Sequence, residues 1–246
     1  AQATIAICEL FAMTGDEKYR EPATKAVNYL INTQSDLGGW RYQPGSQSDL
    51  SVTGWVVMAL KSGRMAGIDV PSPVFERIES FLETVSRSDP TAYGSNGSRY
   101  VYEKSDIFNR EAIPTMTSVG ILSREYLGWP GEDARVRSGV EFMLTHPPRW
   151  IRGRVDLYYW YYATQSILHA GGPEWPAWNR QIKKALTENQ VTDRRGRGRD
   201  ERGSWDPRDG VWHQASGGRL YTTCLAIYTL EVYYRHLPLY KQQAVR

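Results

Sequence analysis

The sequence predicts an all-α fold built from repeated helical hairpins, and three observations carry that reading. Apolar residues recur at i, i+3 and i+4 along nearly the whole chain. The helical stretches alternate between ones that are apolar on every side and ones with a charged face. The connections alternate as well, short and then long.

In chain order, helical spacing covers about 2–14, 20–33, 51–66, 73–86, 111–127, 132–145, 155–170, 175–190 and 217–236. Asp49 or Ser51 is placed to cap the third stretch, Pro73 behind Ser72 opens the fourth, and Gly171-Gly172 closes the seventh. Tyr100-Val101-Tyr102 alternates like a strand but is too short to matter. The odd-numbered stretches are apolar nearly all round and must be buried; the even-numbered ones are amphipathic and lie outside them. The order is therefore inner, outer, inner, outer, ending on an unpaired inner helix.

Inner-to-outer turns are short, near Gly15, Gly67, Gly128 and Gly171, whereas outer-to-inner connections run over about 34–50, 87–110, 146–154 and 191–216. The repeat is a hairpin of ~50 residues. If the hairpins close on one another, the inner helices run parallel. All long loops and all inner-helix N-termini then share one end. Long loops carry function and helix N-termini attract anions, so that end is the expected functional face.

Composition narrows the classes. The chain has 246 residues with 30 basic and 27 acidic side chains, a net charge of +3. That length suffices for a buried core, and that balance gives no footing for nucleic-acid binding. No run is long and apolar enough for a membrane span, and no signal peptide is visible. Cys8 and Cys224 read as buried free thiols, which leaves the compartment open. Nine Trp and sixteen Tyr against five Phe make the aromatic content mostly amphipathic, suited to capping a core or lining a pocket.

Two long loops carry a signature. One runs from Lys25-Ala26-Val27 through Tyr29-Leu30 and Gln34 to Gly38-Gly39-Trp40; the other has Lys184-Ala185-Leu186, Gln190 and Gly203-Ser204-Trp205. The glutamine is placed to pair with orphan backbone groups at the outer helix's end and to stack on the tryptophan. Gly97-Ser98-Arg99-Tyr100 and Pro148-Arg149-Trp150 occupy the equivalent places in degenerate form. The pattern resembles the QW motif of squalene and oxidosqualene cyclases. On it the chain resembles an uncharacterised bacterial-type member of the prenyltransferase and squalene-cyclase repeat superfamily. The resemblance implies an α/α toroid, incomplete at about four and a half hairpins. It further implies a single domain over 1–246 belonging to a longer chain, whose remainder is an expected partner.

The superfamily's chemistries do not transfer. The Asp-x-Asp-Asp cluster of the class II cyclases is missing; Asp206-Pro207-Arg208-Asp209 and Asp200-Glu201 come nearest. The zinc ligands of the prenyltransferases map to Asp156-Leu157-Tyr158 and to Thr222, so the Asp survives while the Cys and His do not. Neither cysteine sits in a thioester-forming Cys-Gly-Glu-Gln. No metal and no cofactor are expected.

What remains is a toroid with an aromatic, mildly polar mouth, expected to hold a small-molecule or lipid-like ligand. Trp55, Tyr158, Trp160, Arg219 and Tyr221 are the expected ligand-binding residues. Asp156, Glu111, Asp206 and His213 are the candidate catalytic groups. The alternatives are an isoprenoid- or lipid-processing enzyme with non-standard catalytic groups, or a glycan-active α/α barrel. The latter needs two carboxylates ~5–10 Å apart, for which Asp156 with Glu111 or Asp206 is the pairing to test. Arg194, Arg195, Arg197, Arg199 and Arg202 could clamp an anion from the last long loop, and Arg219 could do so from a fixed position or pair with Asp206. His146, His169 and His236 read as helix-end residues.

Overall fold

A computed structural model describes residues 1–45, 47–88, 97–107, 110–192 and 201–234. Among them run nine α-helices: α1 (Gln2–Thr14), α2 (Arg20–Asn32), α3 (Leu50–Met65), α4 (Ser72–Thr84), α5 (Pro114–Tyr126), α6 (Ala134–Leu144), α7 (Leu157–Ala170), α8 (Glu174–Thr187) and α9 (Trp212–Leu230). One two-residue pairing, Ser86–Arg87 against Arg99–Tyr100, is the sheet content of the described residues. The fold is the all-α toroid the sequence predicts. α1, α3, α5, α7 and α9 pack in succession as the inner layer. α2 lies against α1 and α3, α6 against α5 and α7, and α8 against α7.

Two boundaries differ from the spacing. α5 starts at Pro114 rather than 111, because the proline sets the first-turn φ and holds Ile113 extended (φ −114, ψ 151). α9 starts at Trp212, earlier than expected, but breaks at Gly218 (φ 75, ψ −176). A short N-terminal piece therefore precedes the main inner helix.

The long loops are pinned by a repeated device. Trp40 Nε1 donates to the Leu30 carbonyl and Trp205 Nε1 to the Leu186 carbonyl, both at 2.9 Å. Each carbonyl lies in the last turn of an outer helix and accepts a backbone N–H as well, Leu30 from Thr33 (3.3 Å) and Leu186 from Asn189 (3.2 Å). The backbone N–H of Trp40, Tyr100 and Trp205 donates in turn to Thr53 (3.0 Å), Thr117 (3.2 Å) and Thr223 (3.5 Å). One threonine near the start of each inner helical segment thus holds each loop.

The glutamines do a different job from the one expected. Gln34 Nε2 donates to Gly38 (2.8 Å) inside the loop and to Val74 (3.0 Å) on α4, and Gln190 repeats the first contact on Gly203 (2.8 Å). The remaining loop departs from the pattern: Trp150 donates to the Asp209 carboxylate (3.2 Å), and the Tyr159 hydroxyl takes the Met143 carbonyl of α6 (2.8 Å). Cys8 is buried and Cys224 half-buried, and both are free thiols.

Candidate functional site

Asp156 sits where the N-termini of three inner helices meet. It caps α7, its Oδ1 accepting from the Tyr159 N–H at 2.9 Å. Its Oδ2 accepts from the Thr115 hydroxyl of α5 at 2.9 Å. The Nε2 of His213, on the first piece of α9, stands 3.5 Å from Oδ1 and is buried without a hydrogen-bond partner. A carboxylate at a helix N-terminus is stabilised in its charged form by the free N–H groups there.

A cavity of about 740 Å³ opens between α1 and α9; neither Asp156 nor His213 lines it, but Tyr221 on its wall is close enough to feel the Asp156 charge. Trp55 of α3 and Tyr221 and Tyr228 of α9 line it, with Ile5, Leu220 and Leu225 filling between. Among the described residues its charged lining is Glu9 and Glu231, with no Lys or Arg. Trp55 is braced from behind by α7, stacked on Tyr161 (5.6 Å, 20°) and meeting Tyr162 (5.7 Å, 77°) and Tyr158 (6.3 Å, 65°) edge-on. Burial pushes the phenols of Tyr158 and Tyr221 above their usual range, and the Asp156 charge adds to the shift at Tyr221. Both rings stay neutral hydrogen-bonding groups.

The expected residues part company here. Trp55 and Tyr221 line the cavity, and Tyr158 lies one layer deeper, its hydroxyl on Ser51 (3.2 Å). Trp160 turns the other way and packs on Trp150 (5.9 Å). Arg219 is engaged outside the cavity, paired with Glu201 (3.0 Å) and donating to the Ser204 hydroxyl (3.0 Å). No Arg219–Asp206 ion pair forms. Asp206 is 2% exposed, gripped by Arg208 through contacts of 3.0 and 2.8 Å, and caps the turn at Pro207–Asp209. Its carboxylate is committed to the loop. Glu111 is exposed in the segment ahead of α5, four residues before Thr115.

Thr222 donates to the Trp205 and Arg219 carbonyls, a structural use. Arg194, Arg195, Arg197, Arg199, Asp200 and His236 lie outside the described residues. Among the described residues no three His, Cys, Asp or Glu side chains converge as a metal site, and no helix is long and apolar enough to cross a membrane.

Sequence reasoning missed Glu9, Glu231 and Tyr228. For Glu9 a signal existed: it is the one charge inside an otherwise apolar inner helix, "TIAICELFAM". It accepts a hydrogen bond from Ser62 of α3 at 3.2 Å.

Comparison with known proteins bears on what this arrangement is. Residues 2–52 match the family model for pectic acid lyase. No curated protein matches the chain. Among solved structures the chain is similar to the GH76A alpha-1,6-mannanase of Salegentibacter sp. HEL1_6, with a TM-score of 0.59 and 14% identity over 93% of this chain and 72% of that one. It is equally similar to an inactive variant of that enzyme in complex with alpha-1,6-mannotriose, with a TM-score of 0.60, 14% identity and the same coverage. These findings overturn the resemblance to the prenyltransferase and squalene-cyclase superfamily. The QW-like loops report how an outer helix is fastened to the next inner one, a need that follows from the toroid and not from one chemistry. The chain shares the α/α-toroid fold with an alpha-1,6-mannanase.

Proposed function

We propose that this protein is a glycan-active α/α barrel that takes an uncharged polysaccharide chain into the cavity between α1 and α9. The carrying observation is the aromatic wall of Trp55, Tyr221 and Tyr228, with the Asp156–His213 pair close enough for the Asp156 charge to act on Tyr221. Sugar rings lay their C–H faces on aromatic rings, and a few polar groups then fix orientation. The mannanase fold and the pectic acid lyase match both support a glycan; neither supports the lipid-like ligand that the superfamily resemblance implied. Glu9 and Glu231 favour a neutral chain over a polyuronate.

The chemistry would be this chain's own. The inactive mannanase variant carries asparagine at two consecutive aspartate positions, and this sequence contains no two consecutive aspartates. In this reading Asp156, capping α7, is the half-buried carboxylate of the pair. Glu111 is the exposed second acid, on the segment leading into the α5 turn that contacts Asp156. His213 orients Asp156 and takes up or returns a proton at Nε2.

Calorimetry with mannan-derived oligosaccharides and with polygalacturonate, together with reducing-end release, tests the reading. Trp55→Ala should weaken binding of the neutral chain at least tenfold, about 1.4 kcal/mol. Asp156→Asn keeps the capping oxygen and should retain binding while turnover falls ~10²–10⁴-fold. Tighter binding of polygalacturonate, or equal binding by Trp55→Ala and wild type, would refute the proposal.

A further inference from the structure

A second cavity, of about 310 Å³, lies at the opposite, short-turn end, where α3, α5 and α7 finish. Lys61, Glu125, Tyr126, Trp129 and His169 line it. Both carboxylate oxygens of Glu125 are buried with no partner at hydrogen-bonding geometry, and the Ser166 hydroxyl behind them is in the same position. Lys61 has no carboxylate partner among the described residues. A buried acid and a half-buried ammonium facing one cavity, each without a counter-ion, are costly unless something completes them.

The surroundings choose the sign of the missing group. Helix C-termini often hold cations, but here the last turns are closed by their own caps. Gly67 donates to Arg64, Ile68 to Gly63, Gly128 to Glu125 and Trp129 to Arg124, all through the backbone. Burial pushes the Glu125 carboxyl well above the usual carboxylate range, which favours its protonated, donating form. Burial and the nearby Lys61 lower His169 to about 4, leaving its ring uncharged. Arg64, one turn beyond Lys61, adds positive charge on the same side. The net field is that of one ammonium with an acid O–H beside it.

We propose that this cavity binds a small monocarboxylate, its two oxygens held between the Lys61 ammonium and the Glu125 carboxyl. Gly131 roofs the site by packing against the end of α7, so closely that a Cβ there would fall 2.5 Å from the Ala170 carbonyl. Trp129 is clamped between Arg124 (4.6 Å) and Arg135 (3.5 Å) and presents its edge, which gives a rigid apolar wall for the ligand's hydrocarbon part. The site is independent of the glycan reading.

Titration of the intact protein with acetate and benzoate, followed by NMR and calorimetry, tests it. Inorganic phosphate and Zn²⁺ serve as the competing chemistries, and circular dichroism checks folding. Lys61→Met should weaken benzoate binding at least tenfold. Glu125→Gln keeps a donor without a titrating proton. It should match wild type at pH 5.5 and keep its affinity as the pH is raised, whereas wild-type affinity should fall at least threefold once Glu125 loses its proton. Loss of binding in Glu125→Gln with Lys61→Met unaffected overturns the proposal. So does a preference for phosphate or Zn²⁺ over both carboxylates, or no carboxylate binding at all.

Discussion

Replacing Trp40 by phenylalanine isolates the hydrogen bond that fastens the first long loop. The indole is 4% exposed, and the Leu30 carbonyl it serves belongs to a residue 5% exposed. Phenylalanine fills most of the ring volume but has no N–H, so the carbonyl keeps only its bonds from the Thr33 N–H (3.3 Å) and hydroxyl (3.2 Å). Losing the indole bond from a buried acceptor that keeps other partners should cost ~1–1.5 kcal/mol. Trp40→Ala adds the vacated volume and should cost ~3–5 kcal/mol. Trp205, 2% exposed and bonded to Leu186 at the same 2.9 Å, should behave alike. Trp150 is the internal control: it is half-buried and donates to the Asp209 side chain, so Trp150→Phe should cost ~0.5–1 kcal/mol. Against a total of ~5–15 kcal/mol these differences are resolvable by urea denaturation followed by circular dichroism. A wild-type midpoint for Trp40→Phe, or equal losses for Trp40→Phe and Trp150→Phe, would show that the indole N–H is not the fastener.

Two further outcomes test packing and protonation. A Cβ on Gly120 would stand 2.3 Å from the Tyr100 ring, so Gly120→Ala should destabilise by ~2–3 kcal/mol, partly recovered by adding Tyr100→Leu in a double-mutant cycle. His169 binds its proton only near pH 4 in the folded protein but near 6.5 when unfolded. The unfolded chain therefore holds more protons between those values, and stability falls as pH drops from about 6.5 towards 4. His169→Gln should abolish ~1–2 kcal/mol of that loss at pH 5, read as melting temperature at pH 7.5 and 5. An unchanged slope would place the titrating group elsewhere.

The layering was legible because burial writes itself into periodicity. Helices apolar all round became α1, α3, α5 and α7, and Asp49 and Asp156 capped where short acidic side chains should. What was not legible depends on neighbours distant in sequence. Five consecutive aromatics on α7 point every way round a helix, and only packing against α3, α6, α8 and the 146–154 loop decides among them. That packing sends Tyr161 to Trp55, Tyr159 to Trp178 and Trp160 to Trp150. Arg219 read as a free anion anchor because its partner, Glu201, sits eighteen residues back in a loop with no periodicity. The tryptophan loops invited a family reading because their residues recur, yet each recurring contact is a fastening between backbone and side chain.

The two glycan comparisons point to substrates of opposite character, one neutral and one polyanionic, and the cavity's own charges bear on which is supported. A uronate carboxylate ~6 Å from a glutamate carboxylate meets a repulsion of ~1.5–3 kcal/mol at an effective dielectric of ~20–40. Glu9 and Glu231 would each impose it, and no Lys or Arg among the described lining residues offsets them. A polyuronate carries a carboxylate on every sugar, so no register of the chain escapes both. A neutral chain meets no such term and instead finds two acceptors for its hydroxyls. Glu9→Gln with Glu231→Gln should therefore narrow the gap between polygalacturonate and the neutral chain while leaving stacking on Trp55 intact. The match to pectic acid lyase ends at residue 52, within the first two turns of α3 and ahead of Trp55. It thus covers the helix that carries Glu9 but none of the aromatic wall on which the proposed neutral-glycan reading rests.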